Sequence, residues 1–368
     1  MFKLNKVKKN KIRLGRVKTA HGSLNTPFFM PDATRGFVKL LTNSEVKKTN
    51  TQAMVVNTFH LYLQPGVDLI KKAGGIHKFM NFSGPLLSDS GGFQVFSLIH
   101  RNSKMGKISD EKVIFKSPLN GSWHDFSPEK SIQIQFDLGV DMMVCLDDCP
   151  PNEYDREQLE LAVCRTISWA KRCKLEYLKQ IKKRRIKEDK RPLLFSVIQG
   201  GQELDLREKC ANELVKIGFD GYGFGARPVD ENGNFLKEVL EKTASYIPKD
   251  KLRFALGVGT PEDILACSKL GWDMFDCVIP SREGRHGRLF YKHLKSYKTI
   301  NINNSKFASD FTVINKGSKI DELKKYSKAY LKHLFQLKEP LGQRLATLNN
   351  LEFFQNSLEN IRKEDNKK

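Results

Sequence analysis

The sequence predicts an α/β protein of the (β/α)8 TIM barrel class, with an insertion after the third strand and a helical appendage at the C-terminus. Eight short apolar runs alternate with helix-like segments, which is typical of this barrel. The runs are apolar along nearly their whole length, as expected of strands covered on both faces. Nearly every run ends in polar or glycine residues, and in a barrel those ends meet at one face. A doubly wound open sheet is the main alternative, but the count of eight favours the barrel.

The chain opens with an alternating segment, residues 11–29, that predicts a β-hairpin. The eight predicted strands follow within the ranges 28–33, 53–61, 84–92, 140–148, 193–201, 219–226, 253–260 and 272–280. The clearest predicted helices are 41–49, 155–184, 203–218, 234–247 and 260–271. Strand and helix therefore alternate through most of the chain.

One long insertion, residues 93–139, interrupts this alternation. It contains a hairpin pattern over 112–126, with Asn120 and Gly121 at the turn. An insertion of this length without regular alternation usually forms a lid or a partner surface. We expect one of those roles for it.

The alternation of strands and helices ends after residue 290. We therefore divide the chain into a catalytic barrel with its N-terminal hairpin, residues 1–290, and an appendage packed on that barrel, residues 291–368. In the appendage we expect one added strand within 291–302 and a pair of amphipathic helices separated near Pro340.

Composition limits the functional classes. The 368 residues include 63 Lys and Arg against 42 Asp and Glu, a formal net charge of +21 that favours a polyanionic partner such as nucleic acid. The seven cysteines are scattered and form no Cys-x-x-Cys pair, which is typical of a reduced, cytoplasmic protein. No apolar run is long enough to predict a membrane span, and the basic N-terminus lacks the apolar core of a secretory signal.

The eighth run carries the strongest chemical signal. Apolar residues surround Asp276 at its end, and we expect Pro280 to end regular structure there. Three arginines and His286 follow: Arg282, Arg285 and Arg288. A poorly solvated acid that faces fixed cations is a place where an anionic substrate can meet a nucleophile. The alternative is a structural aspartate in an ion-pair network.

Other strand ends carry complementary groups. The third run ends at Asp89, the fourth at Asp147 and Asp148, the fifth at Gln199, and the sixth in glycines. Two separate carboxylates allow substitution at an acetal-like carbon. A further carboxylate, an amide and bare backbone can recognise the edge of a purine, on which an aromatic side chain such as Phe93 can stack. Each residue alone is equally compatible with a helix cap or a turn.

Four segments carry a specific resemblance. The stretches SDSGGFQVFSL, FDGYGFG, LGVGTPED and MFDCVIPSREGRHGRLF resemble signature segments of the bacterial tRNA-guanine transglycosylases, also called queuine tRNA-ribosyltransferases. The resemblance extends from about residue 4 to residue 355. It implies a barrel fold and an enzyme that exchanges guanine at the wobble position of certain tRNA anticodons for a 7-deazaguanine base.

The resemblance also implies residue roles. Asp276 matches the nucleophile that forms a covalent ester with ribose C1′, and Asp89 matches the general acid and base. The positions that match base recognition or line the base pocket are Phe93, Asp147, Cys149, Gln199, Gly225, Ala226 and Val229. Cys149 and Val229 resemble the bacterial pattern, which favours the prequeuosine base, 7-aminomethyl-7-deazaguanine, over queuine.

The implied partners follow from the same resemblance. Arg282 and Arg285 match residues that contact the anticodon loop of tRNA. The family commonly forms homodimers, partly through the region near its C-terminal zinc site, so we expect a homodimer. No organic cofactor and no membrane partner are expected.

Two departures from the family pattern matter. The family's zinc ligands are three cysteines and a histidine, but the matching positions here are Ser318, Ile320, Leu323 and Asn349. We therefore expect that the structural zinc is absent and that apolar packing replaces it. After the sixth run the family has Gly-Gly-Leu-Ala-Val-Gly-Glu, whereas this chain has Gly-Ala-Arg-Pro-Val-Asp-Glu at 225–231, which leaves the identity of the incoming base open.

Three other functions compete with base exchange in tRNA. A non-catalytic partner subunit could lend tRNA affinity to a catalytic chain, although such a subunit has no need of both Asp89 and Asp276. The same exchange could act on another nucleic acid, such as DNA. A glycoside hydrolase would use the same carboxylates, but the basic composition makes it less attractive.

Overall fold

The structure is a computed structural model that describes residues 1–150, 154–226, 228–230, 232–293 and 296–363. Eight of its strands form one parallel sheet, and each coincides with a predicted run, although the seventh begins one residue before its run. We label them in chain order as β1 Phe28–Pro31, β2 Met54–Asn57, β3 Leu86–Asp89, β4 Met142–Val144, β5 Leu193–Ile198, β6 Gly221–Phe224, β7 Leu252–Ala255 and β8 Met274–Cys277.

This sheet is nearly closed on itself. Its hydrogen-bonded order is β1, β8, β7, β6, β5, β4, β3, β2, and every pair is parallel. The two remaining strands are joined by a parallel bridge between Asp32 and Val55, and the backbone N–H of Ala33 donates to the carbonyl of Val55 at 2.7 Å. The barrel prediction is confirmed, and the open doubly wound sheet is excluded.

The core has an inner and an outer layer. Alternate strand residues fill the barrel interior, among them Met30, Leu87, Phe195, Phe254 and Met274. The intervening residues of the same strands pack outward against the helices in a second, larger apolar cluster. Because side chains alternate along a strand, this division fixes which strand-end residues face the inside of the barrel.

The helices lie between the strands and in the C-terminal appendage. The α-helices are Asn43–Lys48, Thr58–Leu63, Val67–Lys72, Ile76–Met80, Gly92–Arg101, Pro128–Leu138, Arg156–Arg184, Leu204–Ile217, Lys237–Tyr246, Pro261–Lys269, Ile279–Arg285, Asp321–Lys325, Lys328–Gln336 and Pro340–Lys363. Short 3-10 helices span Ser103–Met105, Glu188–Lys190 and Ser305–Phe307. The five predicted helices are confirmed. Three of them begin with capping boxes whose N-cap residues are Thr42, Asp155 and Thr260.

The segment after β8 differs from the prediction. Residues Ile279–Arg285 form a helix, and Pro280 lies in its first turn instead of ending regular structure. Proline is tolerated there because the first helical N–H groups have no intrahelical acceptor. Arg282 and Arg285, which were predicted to lie in a loop, therefore lie on this helix.

Three antiparallel sheets flank the barrel. The predicted N-terminal hairpin is present and gains a third strand, giving Phe2–Val7, Arg13–Thr19 and Gly22–Asn25. The insertion contains the predicted hairpin and one further strand, giving Gly106–Ile108, Val113–Lys116 and Trp123–Phe126. After β8, two paired strands, Arg288–His293 and Ser296–Asn301, replace the single strand that was predicted.

The C-terminal helix Pro340–Lys363 supports the helix that carries the arginines. Gly284 packs so closely on it that an added Cβ would lie 2.8 Å from the Cα of Thr347. The side-chain amide of Asn350 donates to the carbonyls of Pro280 and Arg288 at 3.1 and 2.8 Å. Pro340 begins this long helix, as expected, but the predicted pair of helices is a set of three because Asp321–Lys325 forms an additional short one.

Three aspartates lie at the N-terminal end of the barrel, two of them buried and Asp220 half-buried. Asp141, Asp220 and Asp273 each precede a strand by one residue and accept a backbone N–H from the neighbouring strand. Each also pairs with a basic side chain. The pairs are Asp141 with His21 and His77, Asp220 with Arg191, and Asp273 with Arg13. No helix among the described residues is long and apolar enough to span a bilayer.

We expect Asp220→Asn to lower the free energy of unfolding by about 2 kcal/mol at pH 7, because it removes a partly buried, charge-assisted pair and leaves Arg191 with only the exposed Glu188 as its carboxylate partner among the described residues. Arg191 donates two hydrogen bonds to Asp220, at 2.7 and 2.8 Å. Burial opposes ionisation of Asp220, but the hydrogen bonds from Arg191 and the Leu194 N–H outweigh it and hold the pKa below its ordinary value.

This stabilisation is complete above the unfolded pKa of about 4 and is lost as the pH falls through the lower folded pKa. Urea unfolding of both proteins at pH 7 and below pH 4 should show the difference shrinking with acidification. Asp250→Asn is the control, because the Asp250 side chain is 76% exposed. Equal stability of the Asp220 variant and the native protein at pH 7 would refute the assignment.

Candidate active site

The alternation of side chains along the strands assembles the site. Met274 points into the barrel, so Asp276, two residues later on β8, faces the same way. The same spacing relates Leu87 to Asp89 on β3. It also relates Val197 on β5 to Gln199, just past that strand's end. These polar groups therefore lie above the apolar filling, at the carboxyl ends of the strands.

They open into a cavity of about 880 Å³. The cavity is lined by all the residues to which the family resemblance assigns catalysis or base binding: Asp89, Phe93, Asp147, Cys149, Gln199, Gly225, Ala226, Val229 and Asp276. Phe93 is 55% exposed there. The structure thus brings together residues from five strand ends, separated by up to 187 positions in the chain.

Asp276 is held by one backbone hydrogen bond. The N–H of Gly257 donates to its Oδ1 at 2.9 Å. Burial raises the pKa of Asp276 to about 7, the Gly257 N–H opposes that rise, and the negative charges of Asp89 and Asp32 add to it. The carboxylate has no cationic partner among the described residues, so it remains available as a nucleophile.

Asp89 is held by Asn57 and by its own loop. The side-chain amide of Asn57 donates to Asp89 Oδ2 at 3.1 Å, and the N–H of Ser90 donates to Oδ1 at 3.0 Å. Burial raises the pKa of Asp89 to about 6 in spite of these donors, and Asp32 contributes a further rise. A carboxyl group with this pKa exchanges protons readily near neutral pH.

Asp147 and Gln199 form a pair on the cavity wall. Gln199 Nε2 donates to Asp147 Oδ2 at 2.7 Å. Burial raises the pKa of Asp147 to about 7, against the effect of that hydrogen bond. Gln199 Oε1 is buried and has no hydrogen-bond partner among the described residues. A buried acceptor without a donor is unfavourable unless a ligand supplies one, so the pair is suited to bind the N–H groups of a planar base.

Gly225 and Ala226 form the adjacent wall. A Cβ at Gly225 would lie 2.5 Å from Gln199 Nε2 and 2.7 Å from Oε1, so only glycine permits the present position of that amide. Ala226 has a φ of +90°, a conformation that favours glycine, and it occupies a position where the family pattern has glycine. Arg227 and Glu231, which belong to the departing segment, lie outside the described residues.

Arg282 and Arg285 stand outside the cavity, next to it. They are three residues apart on the helix Ile279–Arg285, which begins two residues after β8. Arg282 is exposed and lies 3.6 Å from Glu283, whereas Arg285 is half-buried and has no ion pair among the described residues. Both cations are therefore close to Asp276 in the chain and available to phosphate groups.

Comparison with known proteins agrees with this geometry. The family profile described as queuine tRNA-ribosyltransferase matches residues 8–365. The queuine tRNA-ribosyltransferases of Staphylococcus aureus strains bovine RF122 / ET3-1 and JH9 are each 43% identical over 355 residues, which cover 96% of this chain and 89% of theirs.

The chain belongs to the queuine tRNA-ribosyltransferase family. It is accordingly a pentosyltransferase of a family that modifies tRNA, and the interpretation as an enzyme of this class is supported over a non-catalytic subunit or a glycoside hydrolase.

Two residues near Asp89 and Asp276 were not predicted. Asn57 is the last residue of β2 and donates to Asp89, and Asp32 directly follows β1 and raises the pKa of both Asp89 and Asp276. Both lie at the carboxyl end of a strand, as Asp89 does, so their positions in the sequence could have identified them. Asp148, which was predicted with Asp147, instead turns away from the cavity and is buried against Arg165.

The family's zinc positions do not offer a zinc site here. Ser318 donates its hydroxyl to Glu352 at 2.6 Å, and Asn349 donates its amide to the carbonyl of Phe290 at 3.0 Å. Ile320 and Leu323 are buried apolar side chains. None of the four supplies a thiolate or an imidazole, so this donor set does not fit the metal.

A second cluster, His21, His77 and Asp141, lies at the opposite end of the barrel. The two imidazole rings stack 3.6 Å apart at an angle of 14°. A metal ion must lie close to the plane of each ring that binds it, which two stacked rings cannot satisfy together. His77 Nε2 is also 3.1 Å from the carbonyl of Gly84. The cluster therefore fits a hydrogen-bonded ion pair better than a metal site.

We expect Gly225→Ala to weaken binding of the free base by about tenfold or more, because the added methyl must displace the Gln199 amide and break its bond to Asp147. Binding of guanine, measured by competition in a guanine-exchange assay, checks this. Gly317→Ala in the C-terminal appendage is the control, since Gly317 is exposed and a Cβ there would meet only Asn315 Oδ1, at 3.7 Å. Native affinity for guanine in the Gly225 variant would show that the amide position is not required.

Proposed function

We propose that this chain exchanges guanine in tRNA for a 7-deazaguanine base by double displacement in the 880 Å³ cavity. One observation carries the proposal. Asp89 on β3 and Asp276 on β8 project into the same cavity, close enough for the charge of Asp89 to raise the pKa of Asp276. Two carboxyl groups that share one cavity provide a nucleophile and a separate proton carrier.

In the first displacement, a carboxylate oxygen of Asp276 bonds to ribose C1′ as the bond from C1′ to N9 of guanine breaks. Asp89 gives its proton to the departing guanine. Burial supports this role because it keeps the proton-bearing form of Asp89 accessible near neutral pH. The product is an ester between the enzyme and the tRNA, with a free guanine that can leave.

In the second displacement, Asp89 takes a proton from the incoming base. The nitrogen of that base then bonds to C1′, and Asp276 leaves as a free carboxylate. Two inversions at one carbon restore the original configuration. Both half-reactions therefore use the same two side chains in reversed roles.

Asp147 and Gln199 would recognise the base edge in both half-reactions. The free acceptor Gln199 Oε1 and the carboxyl group of Asp147 lie side by side, which suits the adjacent N–H groups of a guanine-like ring. Phe93 would stack on the ring face. We propose 7-aminomethyl-7-deazaguanine as the incoming base because Cys149 and Val229 line the cavity and resemble the bacterial pattern.

The remaining partners are proposed on the same basis. Arg282 and Arg285 would hold phosphates of the anticodon loop and so place one ribose over Asp276. We propose a homodimer, which the exposed and mutually stacked rings of Tyr326 and Tyr330 in the C-terminal appendage support. A tRNA substrate and seven unpaired cysteines support a cytoplasmic location.

Asp276→Asn should abolish the covalent complex between enzyme and tRNA, because an amide is not a competent nucleophile here. A denaturing gel of enzyme mixed with labelled tRNA and guanine measures the complex. The amide oxygen can still accept from Gly257, so folding and tRNA affinity should remain close to native. Release of labelled guanine from tRNA at the native rate would refute the nucleophile assignment.

Asp89→Asn should reduce the exchange rate about 10²- to 10⁴-fold while leaving tRNA affinity largely intact, because it removes the proton carrier and keeps the shape of the side chain. Single-turnover release of guanine and a separate tRNA-binding measurement distinguish the two effects. Asp263→Asn, on the rim of the same cavity, is the charge-matched control. A loss of tRNA affinity with an unchanged rate would contradict the assignment.

The purified protein should contain no stoichiometric zinc after washing with a chelator, and its thermal stability should not respond to added zinc. The buried residues at the four family positions explain this, since their groups are apolar or already hydrogen-bonded. Elemental analysis and thermal unfolding measure the two outcomes. One zinc per chain retained through the wash would overturn the proposal.

A further inference from the structure

Arg207 is a buried arginine behind the base-binding wall. It lies on the helix Leu204–Ile217, is fully buried, and directs its guanidinium toward three backbone carbonyls. Nε donates to Gly201 at 2.7 Å, Nη1 to Ile198 at 3.2 Å and Nη2 to Gly225 at 2.8 Å. The guanidinium carbon also lies 4.1 Å from the centre of the Phe224 ring.

No carboxylate among the described residues forms an ion pair with this guanidinium. Burial of a cation without a counter-ion is strongly unfavourable, and here it lowers the pKa of Arg207 to about 9. An apolar side chain of similar length would fill the same space without that penalty. The carbonyls that it binds therefore account for an arginine at this position.

Those carbonyls belong to the last residue of β5 and to the two loops that form the base-binding wall. Ile198 precedes Gln199 and Gly201 follows it by two residues, in the loop after β5, whereas Gly225 begins the loop after β6. The planar guanidinium of Arg207 therefore hydrogen-bonds to both loops. The helix that carries Arg207 also packs closely against the loop after β5, since a Cβ at Gly200 would lie 2.8 Å from the backbone nitrogen of Arg207.

We propose that Arg207 is a positioning residue for base recognition: it fixes the separation of the two loops and so holds the Gln199 amide between Asp147 and Gly225. It does not line the cavity and would not touch the base. The inference rests on the proposed role of Asp147 and Gln199 in binding the base. A guanidinium group, whose N–H donors point in fixed directions, is required because a lysine ammonium cannot reach three separated carbonyls with the same geometry.

The test uses Arg207→Met and Arg207→Lys in full-length protein, with labelled guanine and unmodified tRNA as probes. We expect Arg207→Met to raise the KM for guanine about tenfold or more, while tRNA affinity stays within about twofold of native. Arg207→Lys should restore part of the guanine affinity, because it keeps the charge and at least one hydrogen bond. A loss confined to one substrate is not expected of a general packing defect.

Leu214→Ala is the matched control, because Leu214 is fully buried on the same helix and contacts the core instead of the loops. It should lower the thermal midpoint and leave the KM for guanine at its native value. If Arg207→Lys, or Arg207→Met where it folds, behaves in the same way as this control, the proposal is wrong.

Gln199→Ala separates this proposal from the proposed function. If Gln199→Ala loses guanine affinity and both Arg207 variants keep it, the base site stands and the positioning role of Arg207 fails. If Gln199→Ala itself binds guanine with native affinity, the base-site assignment fails, and the role of Arg207 fails with it.

Discussion

Three carboxyl groups share one cavity, and none of them has an ion-pair partner among the described residues. Burial is the largest cause of the raised pKa of Asp89, Asp147 and Asp276, and in two of the three the charge of another member adds to it. In the described part of the chain, their hydrogen bonds come from backbone N–H groups and from the side-chain amides of Asn57 and Gln199. The site therefore depends on dipoles that the barrel holds in fixed positions, because no described side chain forms an ion pair with these acids.

The opposite end of the barrel uses the same residue type differently. Asp141, Asp220 and Asp273 also accept backbone N–H groups, but each has a basic partner within 3.1 Å. The pKa of Asp141 and that of Asp220 lie below the ordinary value, whereas burial keeps the pKa of Asp273 raised even beside Arg13. Ion-paired acids therefore lie at one end of the barrel, and at the other end lie acids without an ion pair among the described residues, for which we propose the catalytic roles. Barrels typically separate stability and catalysis between their two ends in this way.

The sequence was informative where a residue's role follows from its place on a strand. Strands covered on both faces must be apolar, and alternation places Asp89, Gln199 and Asp276 inside, so the barrel and most of the site could be predicted. Asp148 could not, because β4 ends at Val144 and the chain beyond it no longer alternates. Arg207 was equally hidden, since an arginine in a charged helix predicts a solvent-exposed side chain. Only the packed structure shows that three carbonyls converge on it.

Hydrogen bonds from the C-terminal helix Pro340–Lys363 hold the segment that carries Arg282 and Arg285. Asn349 and Asn350 are fully buried on that helix and bond to the backbone of Pro280, Arg288 and Phe290, which flanks Arg282 and Arg285. Asn349 occupies the family's histidine position, yet its amide now joins this network. At this position, therefore, a side chain that hydrogen-bonds to the segment after β8 stands where the family pattern has a metal ligand. The surface proposed to hold the anticodon loop is fixed by buried amides on one long helix.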